Sequence, residues 1–259
     1  MPPSILLIYL NKIKKMRTLL TVTLCFVFLS AVPLAANAQW WAGGMKGEGP
    51  QVVKTLDVDN FKGITLAFSA TVYLTQGDTY SVKVEGQENI IDNIETEVRD
   101  GHWKIKFDEN VGRHDKLTLW ITMPTLNKAA ISGSGTLKGE TVFRDLNEVD
   151  VSISGSGDIQ LELEANSVNT GISGSGDIRL RGSATAHRVK ISGSGDVDTV
   201  DLRSQETSVR ISGSGDCRVH AEESLEVSTS GSGDVYYSGR PRVSAKVSGS
   251  GEVQPVRNN

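Results

Sequence analysis

The tetrapeptide Ser-Gly-Ser-Gly recurs seven times in this chain at a nearly constant interval, and that interval limits the fold more than any other feature. The copies are "ISGSGTL" at Ile131, "ISGSGDI" at Ile153 and Ile172, "ISGSGDV" at Ile191, "ISGSGDC" at Ile211, "TSGSGDV" at Thr229 and "VSGSGEV" at Val247. Their first glycines are Gly133, Gly155, Gly174, Gly193, Gly213, Gly231 and Gly249, spaced 22, 19, 19, 20, 18 and 18 residues apart. A period near 20 is the signature of a solenoid. A flexible Gly-Ser linker would not carry isoleucine and an acidic residue at fixed offsets on its two sides.

The flanks identify the solenoid. Val149, Val151 and Ile153 alternate with Asp150 and Ser152, and Leu225, Val227 and Thr229 alternate with Glu226 and Ser228. That two-residue period belongs to a strand with one buried face. The alternation resumes after each phrase, as in Ile159, Leu161 and Leu163. No helical stripe fits between Ala130 and Val256. One coil is therefore expected to run strand, Gly-Ser-Gly corner, strand, then a polar return such as "EANS" or "RSQETS". The fold class is all-β, a parallel β-helix with about 20 residues per coil. Coils must stack, because one alone cannot bury its apolar face. Glycine reaches backbone conformations other residues resist, so it recurs at the corner.

Asp158, Asp177, Asp196, Asp216, Asp234 and Glu252 hold equivalent places in successive copies. Stacking at strand spacing would set neighbouring carboxylates roughly 4.8 Å apart near their backbones. Two such charges repel by about 0.9 kcal/mol even in bulk water. Hydrogen bonds from corner amides and serine hydroxyls would offset this, as they do for aspartates in turns. Calcium between the carboxylates is the alternative. The calcium-binding nonapeptide of secreted toxins has its own aspartate spacing, absent here, so hydrogen bonding is preferred.

The N-terminus reads differently. Lys12, Lys14, Lys15 and Arg17 precede an apolar run from Leu19 to Ala35, and "ANA" at Ala36–Ala38 comes next. Residues 1–38 thus read as a secretory signal peptide, with Met16 as an alternative start. The short run and small residues at the cut argue against a retained membrane anchor. Residues 39–50, "QWWAGGMKGEGP", read as a flexible tether, and 51–256 as one β-helical domain with its repeats at 131–253. The expected location is the periplasm, the outer envelope or the outside of the cell. Removing residues 1–38 takes away four basic and no acidic residues, so the exported chain is more acidic than the −4 of the whole. Without a basic stripe, nucleic acid is not an expected partner. Cys217 alone of the two cysteines remains, which excludes an intrachain disulfide.

Catalytic motifs fail on spacing. "GSGSGD" lacks the lysine of a phosphate loop, and no serine is flanked as in a nucleophile elbow. His102, His114, His187 and His220 lack metal-ligand spacing, and each is expected to be a solvated surface residue. Cys217 stands where other copies carry Ile or Val, so it is expected in the core. No catalytic residue, cofactor or metal site is assigned. An active site would interrupt the repeat, whereas the acidic ladder is the repeat, so a polysaccharide-active enzyme is disfavoured.

The segment before the repeats is also strand-rich. "FSATVYL" at Phe68 looks like a coil with an eroded corner, and "ENIIDNIETEV" is expected to form one short helix. Taken together, "NFKGITLAFSATVYLTQGDTYSVKVEGQENIIDNIETEV", "GHWKIKF" and the serial "SGSGD" resemble a secreted bacterial family, the putative auto-transporter adhesin head GIN domain. The resemblance covers about Val52–Val253. It implies a right-handed, single-stranded β-helix and a non-catalytic adhesin-like module of the surface or envelope. The partner would be a glycan or protein. The alternative is a structural scaffold, self-associating into a homo-oligomer through its coil ends. An auto-transporter carries a C-terminal membrane barrel, whereas Glu252 is succeeded here by "VQPVRNN", so self-transport is not expected.

Overall fold

The computed structural model describes residues 43–256. The expected signal peptide, residues 1–38, and residues 39–42 lie outside the described residues. Alternation does produce stacked coils, in a solenoid of about 7 turns with a repeat near 19 residues. Four strands each span a whole coil: β9 (Thr136–Gly155), β10 (Asp158–Gly174), β11 (Asp177–Gly193) and β12 (Asp196–Gly213). Their register is parallel and aligns the repeats, with Ile153 beside Ile172, Ile191 and Ile211, and Gly155 beside Gly174, Gly193 and Gly213. The expected polar returns are corrected by this pairing. Ser167 of "EANS" pairs with Ala186, which pairs with Glu206 of "RSQETS". The strand runs through them because pairing uses backbone groups, whatever the side chain.

Unequal coil lengths are absorbed locally. The 22-residue interval shows as two register shifts between β9 and β10, and the 20-residue interval as one between β11 and β12. The last coils divide into shorter strands: β13 (Cys217–His220), β14 (Ser224–Gly231), β15 (Val235–Ser238), β16 (Arg242–Gly249) and β17 (Val253–Pro255).

The corner needs glycine for two separate reasons. At Gly193 φ is +130°, and a Cβ there would lie 2.3 Å from the Gly174 carbonyl oxygen of the preceding coil. The other corner glycines that repeat it have φ between +131° and +145°. The intervening serine donates its amide across coils, for example Ser194 N to Gly174 O at 2.9 Å. Inside, one column runs Leu137, Ile159, Ile178, Val197, Cys217 and Val235, all buried. Each such side chain contributes about 1.5–3 kcal/mol of burial. Cys217 is a core residue, and burial pushes its thiol pKa up.

The N-terminal segment is a distorted continuation of the stack. Strands β2 (Gly63–Leu66) and β3 (Thr71–Gln76) lie beneath β8 (Lys128–Gly133) and the start of β9. Residues 67–70 thus occupy a corner place, and Thr136 N donates to Ala70 O at 2.8 Å. β6 (His102–Ile105) and β7 (Thr118–Met123) pair on the outer side of β2 and β3, so chain order and stacking order differ. β4 (Ser81–Gln87) then adds antiparallel to β7, β1 (Gln51–Leu56) to β4, and β5 (Val98–Arg99) to β6. Helix α1 is a single turn, Glu88–Ile91, that buries Ile90 and Ile91. Phe61, Tyr80 and Trp103 pack with ring centroids 5.0 and 5.6 Å apart, and Trp103 Nε1 donates to Glu95 O.

Part of the expected tether is docked instead. Met45 N donates to Asn110 O at 2.8 Å, and Gly47 N to Arg113 O at 2.9 Å. Asn89 fixes the stretch further, accepting from Glu48 N and donating to Lys46 O. Backbone donors that find partners tie down a glycine-rich stretch that composition marks as loose.

Candidate binding face

Each acidic ladder residue, and Thr136 which holds the same place in the first copy, is followed two positions later by a residue on the same side of its strand. Those residues form a continuous cross-strand row. It runs Lys138, Gln160, Arg179, Asp198, Arg218, Tyr236 and Gln254. Beyond Lys138 the register carries it into the N-terminal segment, through Tyr73, Trp120 and Lys83. Ten strands therefore contribute one side chain each to a single line along the solenoid.

The line has an aromatic group near each end. Tyr73 and Trp120 stack, with centroids 6.1 Å apart and planes at 17°, and Trp120 is 38% exposed. At the other end Arg218 lies over the Tyr236 ring, 6.0 Å from its centroid. The Tyr236 hydroxyl donates to Asp234 Oδ2 at 3.3 Å. The Asp234 charge, above all, holds the Tyr236 pKa above its ordinary value. Between the ends, Asp177, Arg179, Asp196, Asp198, Arg218 and Tyr236 line a shallow depression of about 360 Å³. Asp198 stands between two arginines, and its Oδ1 is covered and makes no hydrogen bond within the chain.

The ladder beside this row divides into two kinds of corner. The amides of Asp158, Asp177 and Asp196 donate to Gly135, Gly157 and Gly176 carbonyls. From Asp216 onward the amide turns to a side chain. Asp216 N donates to Asp196 Oδ1 at 2.8 Å, Asp234 N to Asp216 Oδ1 at 2.9 Å and Glu252 N to Asp234 Oδ1 at 2.8 Å. The change begins across the 20-residue coil and continues through the two 18-residue coils. Hydrogen-bonded carboxylates stacked this way offset part of their mutual repulsion. Among the described residues, no group of three or more His, Cys, Asp or Glu is close enough to hold a metal ion.

The histidines do not converge. His102 Nε2 meets Thr65 Oγ1 at 2.8 Å, and His220 joins Ser238 and Glu222. His187 corrects the expectation of a solvated residue. It is 1% exposed, with Thr170 Oγ1 3.0 Å from Nε2 and no partner at Nδ1. Alternation places it inward, beneath Thr207 and above Val168. Burial pushes its pKa down to about 3. A second depression, of about 760 Å³, is lined by residues including Asn169, Arg188, Lys190 and Arg210, with no Phe, Tyr or Trp among them.

The fold and face define a class: a parallel β-solenoid that displays a long aromatic and charged row on one side. The chain belongs to the family described as "putative auto-transporter adhesin, head GIN domain", whose model matches residues 60–241. The crystal structure of a putative adhesin from Bacteroides fragilis is similar, at 25% identity and TM-score 0.75, covering 82% of this chain and all of that one. A putative adhesin from Parabacteroides distasonis matches at 24% identity and TM-score 0.65, over 82% of this chain and 99% of its own. A protein from the same organism called a putative lipid binding protein shares the fold at 22% identity and TM-score 0.68, with the same coverage. A search of curated proteins finds no match. Among the described residues, no helix is long and apolar enough to cross a membrane.

Proposed function

We propose that this protein is a non-catalytic, exported, adhesin-like module that holds an extended glycan along its solenoid axis. The row from Trp120 to Tyr236 carries this reading. Its members step by about 4.8 Å per strand, close to the length of one sugar unit in an extended polysaccharide. Aromatic rings at its ends offer faces for the C–H surface of a pyranose, and Tyr236 keeps a polar tip for a hydroxyl. Lys138, Gln160, Arg179 and Asp198 supply donors and acceptors between them. A flat array of side chains that repeats with the backbone suits a repeating ligand.

Screening purified protein against immobilised glycans tests this. Trp120→Ala and Tyr236→Ala are each expected to weaken binding about tenfold, or ~1.4 kcal/mol, with unchanged melting. Binding to no glycan, or binding indifferent to both substitutions, would remove the proposal.

A further inference from the structure

The two ends of the solenoid are finished differently. At the N-terminal end Phe61, Ile90, Ile91 and Trp103 are fully buried beneath added strands. At the C-terminal end every residue of β16 is exposed, and Val243 and Val247 are each 42% exposed although they continue core columns. We infer that this open end is a homodimer interface, in which β16 pairs antiparallel with β16 of a second copy about Ala245.

Backbone direction supports this occupant. Arg242 N donates inward to Glu223 O, and Ser250 N to Gly231 O. Alternation between those points turns the N–H and C=O of Val243, Ala245 and Val247 to the free edge. A two-fold centred on Ala245 sets Ala245 against itself and Val243 against Val247. Those are positions where both outward groups bond. The three apolar side chains then meet their counterparts on the core side.

Charge agrees with that register. Lys246 faces Ser244 and Arg242 faces Ser248, so no like charges stand directly opposite. Centring on Lys246 would oppose two ammonium groups, and centring on Val243 would set Ala245 against Pro241. On the second leg, Val235 N donates to Glu252 O and Val256 N to Tyr237 O. Pro255 therefore presents its missing N–H to the free edge, which leaves β16 as the pairing strand. Head-to-tail stacking is disfavoured, because it would set β16 on the two-residue β5, which runs antiparallel to β6, and the three-residue β17 with its Pro255 on β1. The contact is isologous and closes at two copies.

Sedimentation velocity over a concentration series tests the inference. The purified protein is expected to pass from monomer to dimer and no further. Ala245→Pro removes an outward N–H and no internal bond, and Val247→Lys puts an inward charge on the edge. Each should give a monomer at every concentration with an unchanged circular dichroism spectrum. A wild-type monomer up to its solubility limit, a dimer that survives both variants, or open-ended growth would each overturn the inference. If a variant proves misfolded, Ala245→Cys replaces it. Paired Cα atoms about 5.5 Å apart should then cross-link the dimer under mild oxidation, and no cross-link would count against the register.

Discussion

The stack from Ile131 onward and the segment before it solve the same problem by different means. In the stack, every coil repeats one corner, and identical small residues allow backbones to approach closely. In the segment, the corner at 67–70 contains Ser69 and Ala70, and strands stack out of chain order. Large side chains do the work there: Phe61, Tyr80 and Trp103 fill the end of the core. The comparison shows that repetition supplies length and flat faces, whereas irregularity supplies closure. It also places the stacked Tyr73 and Trp120 pair, which the repeats would not have provided.

The sharpest way to break this comparison is at a corner. Gly193→Val meets both a φ of +130° and a carbonyl 2.3 Å from the new Cβ. It should cost about 5 kcal/mol or more by urea unfolding. Trp103→Ala in the closed end should cost about 3–5 kcal/mol. A small loss there would mean that the aromatic cluster is not what closes the core.

His187 gives the next effect. Its folded pKa, about 3, lies below the ordinary 6.5, so the unfolded chain binds the extra proton between those values. Stability from keeping it neutral is full above pH 6.5 and falls as pH drops toward 3. His187→Val matches Val168 in its column and should flatten the melting temperature over that window relative to wild type. Equal acid sensitivity in both proteins would contradict the buried neutral ring.

The smallest effect separates the two corner types. Asp216→Ala removes an acceptor of the Asp234 amide and should cost about 1–2 kcal/mol. The Asp158 carboxylate receives no amide, so Asp158→Ala should stay within about 0.5 kcal/mol. Chelator is expected to leave the melting temperature unchanged for both. Equal losses would show that the ladder acts as one unit.

Much of this was legible because the repeat writes its own geometry. Period, corner glycines, parallel coils and the inward place of Cys217 follow from spacing and alternation. The aromatic and charged row was not legible. Lys83, Trp120, Tyr73 and Lys138 are neighbours in space but lie out of order along the chain, and only register joins them. His187 was missed because its polarity suggested water, whereas strand alternation sets its direction. A reading of Val189 and Ile191 extended two residues back would have placed it inside. The polar returns misled for a related reason: their side chains mark loops, but their backbones pair.

The central claim is that each Ser-Gly-Ser-Gly copy begins one complete, stackable coil. Duplicating Ser175–Gly193 immediately after Gly193 tests it, with the length of the particle measured by small-angle X-ray scattering. A stack of independent coils should accept the insertion, melt no lower than wild type and lengthen by about 4.8 Å. A misfolded protein, or one that bulges without growing longer, would contradict the account.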